Sequence, residues 1–113
     1  MITNYAMRLN HYFFVLLFLS VMFGCSTEDD LTAYGQAYQE TGAFAPLQKV
    51  VELLPPGSDT ARVKALLGQP IDMGFDYRYL VDSTGPNGCV VGAVFHIDQN
   101  GQIDQQWTGE ICE

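Results

Sequence analysis

Cysteine is the residue type whose positions in this chain most directly suggest chemistry. Cys25 ends an apolar N-terminal segment, whereas Cys89 and Cys112 lie in the C-terminal part of the 113 residues. No C-x-x-C spacing occurs, and neither histidine, His11 or His96, belongs to a recognisable metal-ligand spacing. We therefore expect neither a metal site nor another cofactor.

Carboxylate pairs are the remaining candidates for catalysis. Asp76 and Asp82 lie on one predicted strand, and Asp98 and Asp104 flank a predicted turn. Carboxylates in such places are usually solvated rather than acid/base catalysts. The sequence also has no Ser/His/Asp order, no Cys/His pairing outside the expected disulfide and no phosphate-binding glycine loop. We expect no catalytic residues and a protein that is not an enzyme.

The first 25 residues have the layout of a bacterial secretory signal. One basic residue, Arg8, precedes an apolar run over residues 12–23, and Gly24-Cys25 follows. Twelve helical residues span about 18 Å, short of the roughly 30 Å hydrocarbon core of a bilayer. The run is therefore predicted to be a signal segment rather than a lasting membrane span. Met7 is an alternative start.

The residues before Cys25 resemble a lipobox, where lipoprotein signal peptidase cuts before a diacylated cysteine. Gly24 supplies the small residue, while Met22 and Phe23 depart from the usual Leu and small residue. We expect a signal peptide over residues 1–24 and a membrane anchor on lipidated Cys25. Ordinary secretion and an uncleaved signal anchor are the alternatives.

From Cys25 onward the chain is strongly acidic. All thirteen acidic residues lie in this part against four basic ones, so its net charge is about −9. The basic residues are Lys49, Arg62, Lys64 and Arg78. Nucleic acid and anionic lipid both require clustered Lys and Arg, so neither is expected as a partner. Solubility is the simplest explanation of the acidic excess.

Once Cys25 is assigned to lipid, Cys89 and Cys112 remain as an even pair in an oxidising compartment. We therefore expect a disulfide between them.

Residues 25–44 are predicted to form a flexible tether, because Gly, Thr, Gln and acidic residues are mixed there and apolar residues do not recur at a helical or strand spacing. Tyr34 and Tyr38, four residues apart, are candidate contacts for a partner. The alternative is a helical turn that packs back on the domain.

Two short helices are predicted next. Pro46 suits the first position of a helix, N1, and Leu47, Val50, Val51 and Leu54 share one face. After Pro55-Pro56-Gly57, Asp59 is a predicted N-cap, Val63, Leu66 and Leu67 form an apolar stripe, and Gly68 ends the helix before Pro70.

Three strands are predicted after Pro70, where apolar residues change from helical spacing to every second position. They cover residues 75–82, 89–97 and 103 onward, with turns at 83–88 and 98–102. A three-residue loop with left-handed Gly101 pairs Ile97 with Ile103 and Ala93 with Trp107, which places Trp107 in the core beside Val63, Leu67 and Phe95. A bulge at Gly109 then brings Cys112 opposite Cys89.

The predicted fold is therefore α+β, with two helices on one face of a three-stranded antiparallel meander, formed by residues 45–113. The spacing Gly57-x5-Val63-x3-Leu67-Gly68-x-Pro70 and the aromatic strand Phe75-Asp-Tyr-Arg-Tyr79 resemble the BamE (SmpA/OmlA) family of small outer-membrane lipoproteins. Ser58 and Asp59 stand where that family commonly has Met and Thr or Ser. The resemblance covers residues 47–107.

The resemblance implies a lipid-anchored protein on the periplasmic side of the outer membrane that assists outer-membrane protein assembly by binding another envelope protein. We expect the uncovered sheet face and the tether to be the surfaces that meet this partner. Arg78, the only basic residue in the predicted sheet, is a third candidate for partner binding, with an exposed strand cation as the alternative. The second functional hypothesis is an inhibitor or immunity-type lipoprotein whose acidic surface blocks an enzyme.

Overall fold

The computed structural model describes residues 27–113, and these residues form an α+β fold with three helices and a four-stranded antiparallel sheet. The signal segment, the lipobox, Cys25 and His11 lie outside the described residues. In chain order the elements are α1 (residues 27–41), α2 (Phe44–Leu53), α3 (Thr60–Leu67), β1 (Ile71–Asp72), β2 (Asp76–Thr84), β3 (Val90–Ile97) and β4 (Ile103–Ile111).

The core lies between the helices and one face of the sheet. The strands contribute alternate residues, as expected for a sheet covered on one side. The buried cluster consists of Leu31, Leu47, Val50, Leu54, Val63, Leu67, Tyr77, Tyr79, Val81, Ala93, Phe95 and Ile103. The predicted apolar faces of α2 and α3 are confirmed.

The ends of α3 follow the predicted local signals. The Asp59 side chain accepts a hydrogen bond from the backbone N–H of Arg62 at 2.8 Å, which caps the first turn. Gly68 follows the helix with a φ of 85°, a conformation that glycine adopts without steric cost. These residues therefore fix where α3 begins and ends.

Helix α1 corrects the prediction of a flexible tether over residues 25–44. Leu31 is 0% exposed, and Tyr34 and Tyr38 pack against the same core. Gly35 lies so close to α3 that a Cβ there would overlap the carbonyl oxygen of Leu66. The residues at 31, 34, 35 and 38 form a single face at helical spacing, and burial of that face stabilises a segment that is weak as an isolated helix.

A further difference is the short strand β1, which adds a fourth strand to the predicted three. Ile71 pairs with Arg78 and Asp72 with Tyr77. Gly74, with a φ of 89°, lies in the turn that follows. Two residues are too few to show an alternating pattern, so the sequence carries no period that indicates this strand.

The C-terminal end of helix α2 is capped by Gln106, a residue of β4. Pro46 is the third residue of α2 and not the predicted first, because the helix begins at Phe44; a backbone N–H has no partner within the helix at either position. The Nε2 group of Gln106 donates to the carbonyl oxygens of Val51 at 2.7 Å and Leu54 at 3.1 Å. Gln106 therefore satisfies carbonyl groups at the helix end, a role that its position in a polar strand does not indicate.

Replacing Gln106 by Leu should destabilise the fold by about 1–3 kcal/mol, because two carbonyls at the end of α2 lose their donor in a half-buried site. Urea unfolding followed by circular dichroism measures this loss. Gln105→Leu is the matched control, since the exposed Gln105 lies next to it on the other side of the strand. Equal unfolding midpoints for the two variants would contradict the capping role.

The β3–β4 hairpin has the predicted loop. Asp98 N–H donates to the carbonyl of Gln102 at 2.8 Å, Gly101 has a φ of 75°, and Ile97 pairs with Ile103. The predicted turn over residues 83–88 is also confirmed at its tip, where Gly88 N–H donates to the Gly85 carbonyl at 3.0 Å. Both loops thus have the chemistry that their Gly, Pro and Asn residues indicate.

The register beyond the first pair differs from the prediction. His96 pairs with Gln105, so the extra residue is Asp104 and not Gly109. Trp107 then lies opposite Val94 instead of Ala93. Because one residue of slip exchanges the two faces of a strand, Trp107 leaves the core and lies on the other side of the sheet.

The predicted disulfide is present: Cys89 and Cys112 are bonded, with a Cα–Cα distance of 5.3 Å. The bulge at Asp104 brings Ile111 opposite Val90. Cys112 follows Ile111 and Cys89 precedes Val90, so the two cysteines lie opposite each other. The bond therefore closes the end of the β3–β4 pair opposite the hairpin loop.

Candidate protein-binding face

The sheet face that points away from the helices carries no covering element among residues 27–113. Residues directly paired across antiparallel strands share a face, and the core residues of β2 and β3 alternate with those on the other side. The pairs Ile71–Arg78, Arg78–Val94 and Val94–Trp107 therefore form one row across all four strands. Asp76, His96 and Gln105 form a polar row beside it on the same side of the sheet. We call the apolar part of this side, with Arg78 at its centre, the open face; it consists of Ile71, Arg78, Leu80, Val94, Trp107 and Ile111.

Large apolar side chains are exposed on the open face and at its border. Trp107 is 46% exposed and Ile71 48%, and Met73 beside β1 is also exposed. Phe75, in the turn before β2, is exposed as well. Contiguous exposed apolar surface is typical of interaction sites, whereas single exposed apolar residues are common on any surface.

Arg78 is the charged centre of the open face. Its side chain is only 16% exposed and contacts Asp76 Oδ1 at 3.3 Å, where the Asp76 side chain is 7% exposed. Its Nη1 also pairs with the carboxylate of Glu113, which is largely exposed. The alternative prediction of an exposed strand cation is therefore wrong, because Arg78 lies in an ion-pair network among apolar neighbours.

A groove of about 380 Å³ crosses the open face next to this network. Apolar side chains form most of its wall, and the disulfide lies at one end. The lining residues are Ile71, Met73, Arg78, Leu80, Cys89, Val90, Ile111, Cys112 and Glu113. An apolar groove with one buried charge is suited to recognise a side chain or segment of another molecule.

The other two predicted partner contacts lie elsewhere. Tyr38 donates its hydroxyl hydrogen bond to the carbonyl of Leu80 at 2.6 Å, and its ring meets Tyr79 edge-on at 6.2 Å between centroids. Tyr34 packs against the core from the same helix. The structure thus favours the alternative of packing back on the domain, and only Arg78 of the three lies on the open face.

Tyr79 links this part of the core to the end of α3. Desolvation by burial raises the pKa of Tyr79, so its hydroxyl remains protonated over the physiological range. That hydroxyl donates to the carbonyl oxygen of Gly68 at 2.8 Å. The interaction is structural and does not depend on pH near neutrality.

Three of the four carboxylates considered for catalysis, Asp76, Asp98 and Asp104, make polar contacts within the fold, and Asp82 is exposed. Asp98 Oδ1 accepts from the backbone N–H groups of Asn100 at 2.8 Å and Gln102 at 3.0 Å, which fixes the hairpin loop. Asp104 Oδ1 lies 2.6 Å from His96 Nδ1. Within residues 27–113, no group of three His, Cys, Asp or Glu side chains is placed to hold a metal ion.

Among the residues of the open face and its groove, the sequence did not single out Ile71, Met73 and Glu113, and it placed Trp107 in the core instead of at an exposed site. Ile71 and Met73 stand outside any periodic segment, and the side of Trp107 depends on the position of a bulge. Glu113 reaches Arg78 only because the disulfide holds the end of β4 beside β3. An apolar Ile-x-Met just before an amphipathic strand was the one available signal.

No family model, no curated protein and no solved structure matches this chain. The open face itself therefore carries the functional argument. In the part of the chain described by the structure, no helix is both long and apolar enough to cross a membrane.

Proposed function

We propose that this protein is a non-enzymatic, lipid-anchored protein of the cell envelope that binds another protein through the open face. The observation that carries the proposal is the row from Ile71 through Arg78 and Val94 to Trp107, which the helices leave uncovered and whose apolar ends, Ile71 and Trp107, are exposed. Trp and Arg are the residue types most enriched at energetically dominant interface positions.

The anchor is the lipid proposed on Cys25, and the proposed location is the periplasmic side of the outer membrane. The resemblance to the BamE family supports an accessory role in outer-membrane protein assembly as the specific form of this function. A partner on the open face would cover Trp107 and fill the groove beside Arg78, with the helices of the other layer left free.

Substitution of Trp107 by Ala should lower the recovery of the partner by about thirtyfold, the equivalent of roughly 2 kcal/mol for a central interface residue. The measurement is a cross-linked pull-down of the full-length protein from membranes, quantified by mass spectrometry. Gln48→Ala on the exposed side of α2 is the control. If both variants recover the same proteins in the same amounts, the open face is not the binding site.

Replacement of Cys25 by Ala should abolish incorporation of a radiolabelled lipid precursor, because the thiol is the acylated group. Full-length protein and the Cys25→Ala variant are compared after metabolic labelling. Label that persists in the variant, or that is missing from the parent protein, would contradict the lipid anchor.

The second proposed function, an inhibitor of an enzyme, is supported by the net charge of about −9 after Cys25. Such a surface complements the basic cleft of a hydrolase and accelerates association at low salt. Co-purification with a single basic enzyme would support this function, and increased outer-membrane permeability after gene deletion would support the assembly role.

A further inference from the structure

The outer edge of β4 is an open edge of the sheet. Among the described strands, β4 is last in the sheet order and pairs with β3 alone. At the start of this edge, Ile103 N–H donates to the carbonyl of Ser58 at 2.7 Å, and the Ile103 carbonyl accepts from Gly57 N–H at 3.1 Å. Asp59 and Gln102 form an antiparallel bridge beside them. The fold therefore already adds a short extended segment here, which shows that the outer edge of β4 can pair with a further strand.

The direction of the β4 backbone follows from that of β3. Ile97 N–H donates to the carbonyl of Phe75, so the backbone groups of Ile97 face β2. Backbone groups of successive strand residues point to opposite sides, so those of Val94, three positions earlier, face β4. Trp107, which pairs with Val94, therefore directs its backbone groups toward β3, as does every second residue of β4 beyond it.

The alternate residues of β4 direct their backbone groups away from the sheet. These residues are Gln106, Thr108 and Glu110, each with one N–H and one C=O group. None of these groups has a hydrogen-bond partner among residues 27–113. The outer edge of β4 therefore presents donors and acceptors at the spacing of a strand.

The opposite edge of the sheet is covered, so the two edges differ. There β1 pairs with the start of β2, and farther along the Tyr38 hydroxyl donates to the carbonyl of Leu80. Edge strands are commonly protected from pairing by proline, by lysine or by a covering element. Residues 105–111 contain neither proline nor lysine, and the carboxylate of Glu110 is bound to the backbone and side-chain amides of Asn87 at 2.7 Å. The usual protection is therefore missing from this stretch of β4.

We infer that an extended segment of the partner adds to the outer edge of β4 as a fifth strand of the sheet. This inference rests on the proposed function, the binding of another protein, and specifies the form in which the partner binds. Free N–H and C=O groups at strand spacing are complementary to another extended backbone. Neighbouring side chains on one face of paired strands lie about 4.5–5.5 Å apart, so alternate side chains of the added segment lie beside Trp107 on the open face.

Charge favours a segment of a different protein over β4 of a second copy. β4 carries the acidic residues Asp104 and Glu110 and no basic residue, and the chain after Cys25 has a net charge of about −9. Two copies joined at this edge would bring like charges together, which disfavours pairing. The complementary occupant is a strand in which Lys or Arg accompanies alternating apolar residues.

Amide hydrogen exchange tests whether the edge is free in the protein alone. In the purified full-length protein, the amides of Thr108 and Glu110 should exchange at least about tenfold faster than those of Trp107 and Gly109, because an amide bonded to β3 exchanges only when the strand pair opens. Slow exchange at Thr108 and Glu110 would show that this chain or a second copy already covers the edge, and would overturn the inference.

Thr108→Pro tests the role of the edge in binding, because it removes one outward N–H. Proline is tolerated in an edge strand where the missing N–H faces solvent. In the cross-linked pull-down, recovery of the partner should fall about tenfold, the loss expected for one hydrogen bond of about 1.4 kcal/mol. Thr108→Val, which keeps the N–H and the side-chain shape, should recover as much partner as the parent protein. Equal unfolding midpoints in urea confirm that both variants are folded.

The outcomes separate this inference from the proposed function. If Trp107→Ala loses the partner while folded Thr108→Pro retains it, the open face binds the partner and strand addition is wrong. If the parent protein recovers no partner, both are wrong. A second measurement needs no variant: in the parent protein bound to the recovered partner, the amides of Thr108 and Glu110 should exchange at least about tenfold more slowly than in the free protein. Unchanged exchange there would overturn strand addition.

Discussion

Replacement of Leu31 by Ala should destabilise the protein by about 2–5 kcal/mol, the range observed for truncation of a fully buried leucine. Leu31 is 0% exposed and lies on α1, in a segment whose sequence predicts a flexible tether. A tether residue would contribute nothing to stability, so the substitution separates the two descriptions of residues 27–41. Urea unfolding of the parent protein and the variant, followed by circular dichroism, gives the difference in free energy.

Thr32→Ala is the control for this substitution. Thr32 is the next residue of the same helix and is exposed, so its replacement should change stability by less than about 0.5 kcal/mol. A Leu31→Ala variant as stable as the Thr32→Ala variant would mean that α1 does not pack on the core in solution.

Loss of the disulfide should lower stability by about 3.5 kcal/mol, the loop-entropy value for a closed loop of roughly 24 residues. The disulfide between Cys89 and Cys112 joins β3 and β4 at one end of the strand pair, and the hairpin loop joins them at the other end. A folded unit of under ninety residues has little surplus stability, so the effect is a large fraction of the total. The unfolding midpoint of a double Cys→Ser variant measures it.

The parent protein treated with reductant should unfold at the same urea concentration as the double variant, and reductant should not affect the variant. Reduction also releases the residue after Cys112, so the pairing of Glu113 with Arg78 should weaken at the same time. An unchanged midpoint in the double variant, or two free thiols in envelope-derived protein, would contradict a stabilising bond.

Local signals in the sequence were sufficient for α3 and for the turns. The N-cap at Asp59, the positive φ at Gly68 and the loop at Gly101 depend on a few adjacent residues whose chemistry admits few conformations. The disulfide followed from cysteine count and compartment. The two-layer α+β class followed from the spacing of apolar residues, which is helical before Pro70 and alternates as in a strand after it.

Helix α1 was missed because its apolar face is interrupted by a glycine. Leu31, Tyr34 and Tyr38 have helical spacing, but Gly35 completes the face only through its contact with Leu66, which is a tertiary property. Glycine usually weakens a helix, and the surrounding Thr, Gln and acids gave no second signal. Helix α1 is stable because its face is buried against α3 and the core, and the spacing of apolar residues alone does not indicate that burial.

An uncovered sheet face was expected from the sequence, but the residues that lie on it were not, for a related reason. Gly109 and Asp104 are both acceptable positions for a bulge, and the choice decides the side of every residue between them. The sequence favours a buried Trp107, yet in the structure Trp107 pairs with Val94 in the row that also contains Arg78. Arg78 was identified as a candidate from charge alone, and its ion pairs with Asp76 and Glu113 required the fold.

The most direct test of the account is a photo-crosslinking amino acid placed at position 107 of the full-length protein in intact cells. We predict that illumination yields one dominant adduct with another envelope protein, and that the same amino acid at the exposed position 48 on the helical side yields none. Adducts that form equally from both positions, or only from position 48, would contradict a protein-binding role for the open face.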